Sequence, residues 1–210
     1  LINCLPKTAW PSDLLALFTG ARREELCALR WADVDFERAT IRFERSMQRI
    51  PGAGVVFAPP KTKRSRRIIR VGDNCIELLR EYRQIQREQR LRMGSAWVRT
   101  VDICGKTIKN DLIFTRADGA PFDPHSITSW FSKFLKANDL TSAHFHSLRH
   151  SNATLLIADH VPVSAVSGRL GHANISTTLN IYTSAIQSAD AAAANSLEST
   201  FERIKEKNHA

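Results

Sequence analysis

The chain has no run of about eighteen apolar residues, the length a helix needs to cross a bilayer. Its start, LINCLPKTAW, lacks the basic, then apolar, then small-residue order of a secretory signal. Both absences point to a cytoplasmic protein with no membrane partner. The four cysteines, Cys4, Cys27, Cys75 and Cys104, are widely spaced, without a C-x-x-C pair or a neighbouring histidine at zinc spacing, so they read as reduced thiols. There is no internal repeat, and no low-complexity segment beyond the alanines at 191–194. Acidic residues are outnumbered, 21 Asp and Glu against 30 Lys and Arg.

That imbalance is what is present. A formal charge of +9 and a pI near 9.8 make an acidic polymer the natural partner. The surplus is concentrated: from Lys61 to Arg92 there are eleven Lys and Arg against four acids, a local +7. With 210 residues, 43% of them hydrophobic, the chain can bury a substantial core as one large domain, or one domain with a tail. Its first residues read as if they begin mid-protein.

Pro11-Ser12-Asp13 can start a helix that carries Leu14, Leu15, Leu17 and Phe18 and ends at Gly20; a second runs through Glu25, Leu26 and Leu29. Three β-leaning runs follow, at 39–44, 55–58 and 66–71, and suggest one small antiparallel sheet. Residues 73–93 have helical periodicity through Ile76, Leu79, Tyr82 and Ile85, with a cationic outer face. The stretch 94–110 reads as an inserted loop or ribbon, and LIFT at 112–115 as one more strand. From Asp123-Pro124, a cap followed by proline at the first helical position, the rest is helical: Ile127, Trp130, Phe131, Phe134 and Leu135 lie at core spacing, and further helices are expected near 147–159, 162–169, 175–182 and 186–206. The fold class is mainly α with a small antiparallel β-sheet (α+β).

In HFHSLRH, His146 and Arg149 are three apart and so share a helix face. A guanidinium can fork onto an anion's oxygens while an imidazole moves a proton. Alone, H-x-x-R is weak, since chance explains most such pairs. The stretch RLGHANISTTLNIYTS adds His172 and Tyr182, ten residues apart. On one unbroken helix ten steps would turn about 280° and climb about 15 Å. Gly171 can end one helix and Asn174 cap the next, so the chain is expected to bend between them. Taken singly, the tyrosine reads as a core or rim residue and the histidine as a cap.

Together these stretches resemble the tyrosine recombinases, or phage integrases, across residues 12–183. TGARREELCALRWADVD at 19–35 resembles the family's first arginine box, T-G-x-R-x-x-E-L-x-x-L-x-W-x-D, which puts a catalytic arginine at Arg22 and its supporting acid at Glu25. PPKTKRSRRIIRV resembles the hairpin bearing the catalytic lysine, with Lys61 at the position matching the pattern K-T-x-x-S-x-R and Lys63 a less favoured substitute. HSLRH matches the H-x-x-R box at His146 and Arg149; LGHANISTTLNIY matches the last box, with His172 in the His/Trp position and Tyr182 as nucleophile.

The resemblance implies the DNA breaking-rejoining catalytic core, acting on double-stranded DNA through a 3′-phosphotyrosine without cofactor, metal or ATP. Arg22 and Arg149, joined by His172, would neutralise the phosphate; His146 would take the tyrosine's proton; Lys61 would protonate the leaving 5′ oxygen. Asp33 and Asp35, beside Trp31, read as a helix end and a strand start rather than metal ligands. Arg64, Arg66 and Arg67 are expected on backbone phosphates, with Arg83, Arg87 and Arg90 left open.

Residues 1–183 are read as the catalytic domain and 184–210 as a helical tail, with Ala189, Ala193, Leu197, Phe201 and Ile204 near one face. The tail either folds back on its own domain or docks on a neighbouring protomer in a tetramer on two duplexes; the chain alone is compatible with a monomer. The family's usual N-terminal core-binding domain has no counterpart here, so the chain reads as a catalytic fragment. Three functions fit: an integrase of a phage or mobile element; an Xer-like chromosome resolvase or type IB topoisomerase-like enzyme; and a silent DNA-binding relative. The intact set of six catalytic positions weighs against the last.

Overall fold

The structure is a computed structural model that describes residues 11–60, 63–140, 143–183 and positions 194, 197 and 198. Helix α1 (Pro11–Thr19) stops at Gly20, whose φ of +64° suits a residue without Cβ. A Cβ there would clash with Leu170 Cδ2 and lie 2.9 Å from Asn152 Oδ1. Three residues separate the end of α1 from helix α2 (Arg23–Cys27).

The β-rich third holds three small units rather than the single sheet expected. Strands β1 (Val34–Asp35), β2 (Thr40–Phe43) and β5 (Arg67–Arg70) form one antiparallel sheet in the order β1-β2-β5, pairing Val34 with Ile41 and Ile41 with Ile69. Strands β3 (Ser46–Ile50) and β4 (Gly54–Ala58) make a separate ribbon. β3 escapes sequence reading because SMQRI buries one side chain, Met47, which is opposite Phe57, and is otherwise polar or exposed. The inserted segment contains the ribbon β6 (Thr100–Ile103) and β7 (Lys106–Lys109).

Helix α3 (Asp73–Met93) has the bounds that its periodicity predicts and buries Cys75, Ile76 and Leu79. LIFT is not a strand. Leu112, Ile113, Phe114 and Thr115 are all buried, so the segment lacks a strand's two-faced alternation and makes only isolated bridges, Arg30 with Leu112 and Thr115 with Pro121. The Gln86 side-chain amide donates to the carbonyls of Leu112 and Ile113, taking the place of a neighbouring strand.

Asp123 caps α4 (Pro124–Ala137) by accepting from the His125 amide at 2.9 Å. Helices α5 (Phe145–Ala158) and α6 (Val163–Leu170) follow, and residues 176–183 form α7. The main core runs from Leu15 to Leu148; a second cluster joins Ala153, Ile157, Val166 and Leu170, with Ile181 of α7 packed against it. The expected tail helix lies outside the described residues, apart from isolated helical positions 194, 197 and 198. No helix among the described residues is long and apolar enough to cross a membrane.

Candidate active site

Arg22 precedes α2 in extended conformation, and Glu25, three residues on, reaches back to it. The carboxylate accepts from the Arg22 amide at 2.9 Å and from Arg22 Nη1 at 3.1 Å. A helix of five residues thus orients a guanidinium that is about one third exposed.

Arg149 is 4% exposed and lies between the ends of two other helices. Its Nη1 donates to the carbonyl of Gly20, the residue after α1, at 2.6 Å and its Nη2 to the carbonyl of Leu170, the last residue of α6, at 2.8 Å. Burial and the charge of Arg22 push Arg149 down to about 9, which leaves it protonated at neutral pH. The carbonyls hold the group without neutralising it.

Gly171 ends α6 in the left-handed region, φ +67°, and Asn174 accepts from the Ser176 amide at the start of α7. The bend between His172 and Tyr182 is therefore real. His172 Nδ1 lies 2.7 Å from the hydroxyl of fully buried Thr178. Burial first, then Arg149, Arg22, His150 and Arg67, push its imidazole down to about 4. At pH 7 His172 is a neutral hydrogen-bonding group, so it offers a dipole where the sequence suggests a third charge.

His146 lies with its ring 5.4 Å from that of His150, edge to face. Burial, then His150, Arg149 and Arg22, lower its pKa, so it too is neutral and able to accept a proton. The cluster converges through adjacent carbonyls: Arg22 Nη2 donates to Gly171 at 3.5 Å and Arg149 Nη2 to Leu170 at 2.8 Å, so the residue before α2, helix α5 and the turn that carries His172 meet.

Arg67 is placed differently from its expected role on DNA phosphate. Its side chain is 5% exposed, and it forks onto Glu25, Nη1 to Oε1 at 3.0 Å and Nη2 to Oε2 at 2.8 Å. Burial alone would raise the Glu25 carboxyl; the hydrogen bond and charge of Arg67, aided by Arg22, hold it below the ordinary value instead. Arg66 is exposed, and so is Arg64, whose Nη1 donates to the Ala173 carbonyl at 2.9 Å. Sequence reasoning missed the inward Arg67 and the Thr178 partner of His172. The arginine closing the K-T-x-x-S-x-R pattern was the available signal for the first; a buried threonine carries none.

Lys61 and the side chain of Lys63 lie outside the described residues. Of the two tyrosines in the chain, Tyr82 is half-buried against Phe114 and Trp31, and the burial of its phenol pushes it up to about 12. Tyr182, on α7, is 38% exposed, and its hydroxyl makes no hydrogen bond among the described residues. Arg83, Arg87 and Arg90 line a different cavity with Trp31 and Trp97, and Arg83 stacks 5.3 Å from the Trp31 ring.

A cleft of about 600 Å³ opens beside the cluster, lined by Arg22, Arg23, Arg45, Arg49 and His125. Arg45 is tied to Asp33 and Arg49 to Asp123. Asp33 is thus held by a cation, and the described residues contain no group of three or more His, Cys, Asp and Glu able to hold a metal. Such a site can bind an anion, polarise its oxygens and accept a proton from a nucleophile.

These features are those of one family: the chain belongs to the phage integrase family, whose model matches residues 13–188. It is 33% identical over 196 residues to a tyrosine recombinase XerC-like protein of Caldanaerobacter subterraneus, covering 90% of this chain and 48% of that protein. It is 29% identical over 168 residues to the ICEBs1 integrase of Bacillus subtilis, covering 80% and 42%. The chain spans about half the length of these curated relatives. Its fold is that of tyrosine recombinase catalytic domains. The Tn1549 transposon integrase, solved in complex with a circular intermediate DNA, superposes with a TM-score of 0.70 at 22% identity, covering 84% of this chain and 55% of that one. The XerA recombinase superposes with a TM-score of 0.60 at 24% identity, covering 85% and 55%.

Proposed function

We propose that this chain cleaves and rejoins DNA strands site-specifically, in the cytoplasm, as the catalytic part of an integrase serving a phage or mobile element. The observation that supports the reading is that Arg22 and Arg149 donate to the adjacent carbonyls of Gly171 and Leu170, next to His172. A scissile phosphodiester gains charge on its nonbridging oxygens during displacement, and fixed guanidiniums stabilise it without reorganising. Each such donor is commonly worth about 3 kcal/mol, or about 100-fold in rate.

In this reading Tyr182 is the nucleophile, supported by its exposure where Tyr82 is packed among aromatic rings of the core. Its phenol passes its proton to His146 as the oxygen bonds to phosphorus. The phosphorus–5′ oxygen bond breaks, and Lys61 protonates the departing oxygen. His172 donates to a nonbridging oxygen, Nδ1 being turned to Thr178. Attack by another strand's 5′ hydroxyl reverses each transfer and frees the tyrosine, so no ATP is required.

Arg64 and Arg66 would contact backbone phosphates of the duplex, which positions DNA without reading its sequence. Assembly as a tetramer on two duplexes, with residues 184–210 docking on a neighbour or folding back on the 1–183 domain, belongs to the same proposal. The XerC-like relative supports a second reading, chromosome-dimer resolution by the same chemistry.

The test is a pool of randomised nicked duplexes from which covalently trapped DNA is recovered. A phosphotyrosine mapped by mass spectrometry to Tyr182, and absent from Tyr182→Phe, supports the reading. No adduct, or one on another residue, ends it.

A further inference from the structure

We infer that Arg67 is a positioning residue of the cleavage site, ordering Arg22 through Glu25 and the His172 turn through the backbone before it; the inference rests on the function proposed above. Its guanidinium is committed on every nitrogen. Nη1 and Nη2 span both oxygens of Glu25; Nη1 also donates to the Ser65 carbonyl at 3.1 Å, and Nε to the Arg169 carbonyl at 2.7 Å. Its carbon lies 4.6 Å from the centre of the Phe43 ring, which fixes the plane of the fork.

Three remote segments meet on this side chain. Glu25 presents Arg22, Arg169 is three residues before His172, and Arg67 itself begins β5, six residues after Lys61. Gly171 packs against it so closely that a Cβ would lie 3.1 Å from Nη1 and 3.2 Å from Cδ. A carboxylate gripped on both oxygens cannot rotate, so the edge it offers to Arg22 is set. Buried ion pairs contribute little net stability because both charges lose water, whereas removing one partner is costly. What the pair supplies is geometry, and a misplacement of about 1 Å at a reacting centre costs about 100-fold.

Lysine cannot replace it. An ammonium is a point donor, unable to span two carboxylate oxygens and reach the Arg169 carbonyl together.

The experiment compares the 210-residue chain with Arg67→Lys, Arg67→Met and the double variant Arg67→Met/Glu25→Gln. Three quantities are read: thermal midpoint, affinity for a trapped duplex by fluorescence anisotropy, and single-turnover rate of adduct formation. Arg67→Met should lower the midpoint by about 10 °C by stranding the Glu25 charge, and the double variant should recover most of that. All three should bind duplex within about threefold of the parent yet form adduct about 100-fold more slowly.

A parent-like rate in Arg67→Lys overturns the inference, as does a rate in the double variant that recovers together with its midpoint. Affinity falling in step with rate would make Arg67 a duplex contact and overturn it as well. If the parent chain itself forms no adduct, the proposed function fails instead, and the midpoints still decide whether Arg67 holds Glu25: equal values for Arg67→Met and the double variant show that it does not.

Discussion

Arg149 donates from Nη1 to the carbonyl oxygen of Gly20 at 2.6 Å, across 129 residues of sequence. A catalytic-type guanidinium is thereby seated on the exposed carbonyl end of a helix, where orphan acceptors and the negative pole of the dipole favour a cation. The same group caps α6 through Leu170, so one side chain joins three helices.

Arg149→Lys should lower the thermal midpoint by several degrees and slow adduct formation by about 100-fold or more, because one ammonium cannot serve both carbonyls and a phosphate. Thermal unfolding and single-turnover trapping check the two effects separately.

Gly20→Ala should destabilise the fold by about 2 to 4 kcal/mol, since the new methyl meets Leu170 and Asn152 at a backbone angle that disfavours a Cβ. Denaturant titration measures it; the change should appear in the midpoint with little change in slope.

His172 sets a pH window. Its folded pKa of about 4 lies below the ordinary 6.5, so between those values the unfolded chain binds more protons and folding is opposed. Stability from this group is full above about 6.5 and falls as the pH drops toward 4. His172→Gln should flatten the dependence of the thermal midpoint over that range. Glu25, held below its ordinary value, adds a second loss at more acid pH.

Adduct formation should proceed unchanged in excess EDTA. The charge on the phosphate is met by Arg22 and Arg149 in this reading, so no divalent ion takes part. Loss of adduct in chelator, restored by magnesium, would contradict it.

Duplex affinity should fall at least about tenfold between 50 and 200 mM salt, as a few Lys and Arg release counterions from the backbone. Arg66→Ala should reduce the salt slope, whereas Arg67→Lys should leave it unchanged because that side chain is inside.

Local patterns were legible in the residues themselves. The stretch 73–93 is a helix because its apolar positions recur at helical spacing, and Gly171 and Asn174 end and begin helices through their own backbone and side-chain preferences. β3 and the buried LIFT segment were not legible, because both take their form from partners elsewhere: Phe57 in one case, the amide of Gln86 in the other.

The sequence by itself determined the candidate residues and their order, since the four boxes name two arginines, two histidines, a lysine and a tyrosine along the chain. Only the tertiary structure decided which way a charge faces and how it is protonated. Arg67 reads like its neighbours Arg64 and Arg66, yet it points inward because Glu25, 42 residues away, waits there. His172 reads as a cation and is neutral, because burial and two guanidiniums from other helices oppose its proton. Both outcomes depend on burial and on charges brought near by folding, and neither quantity exists in an extended chain.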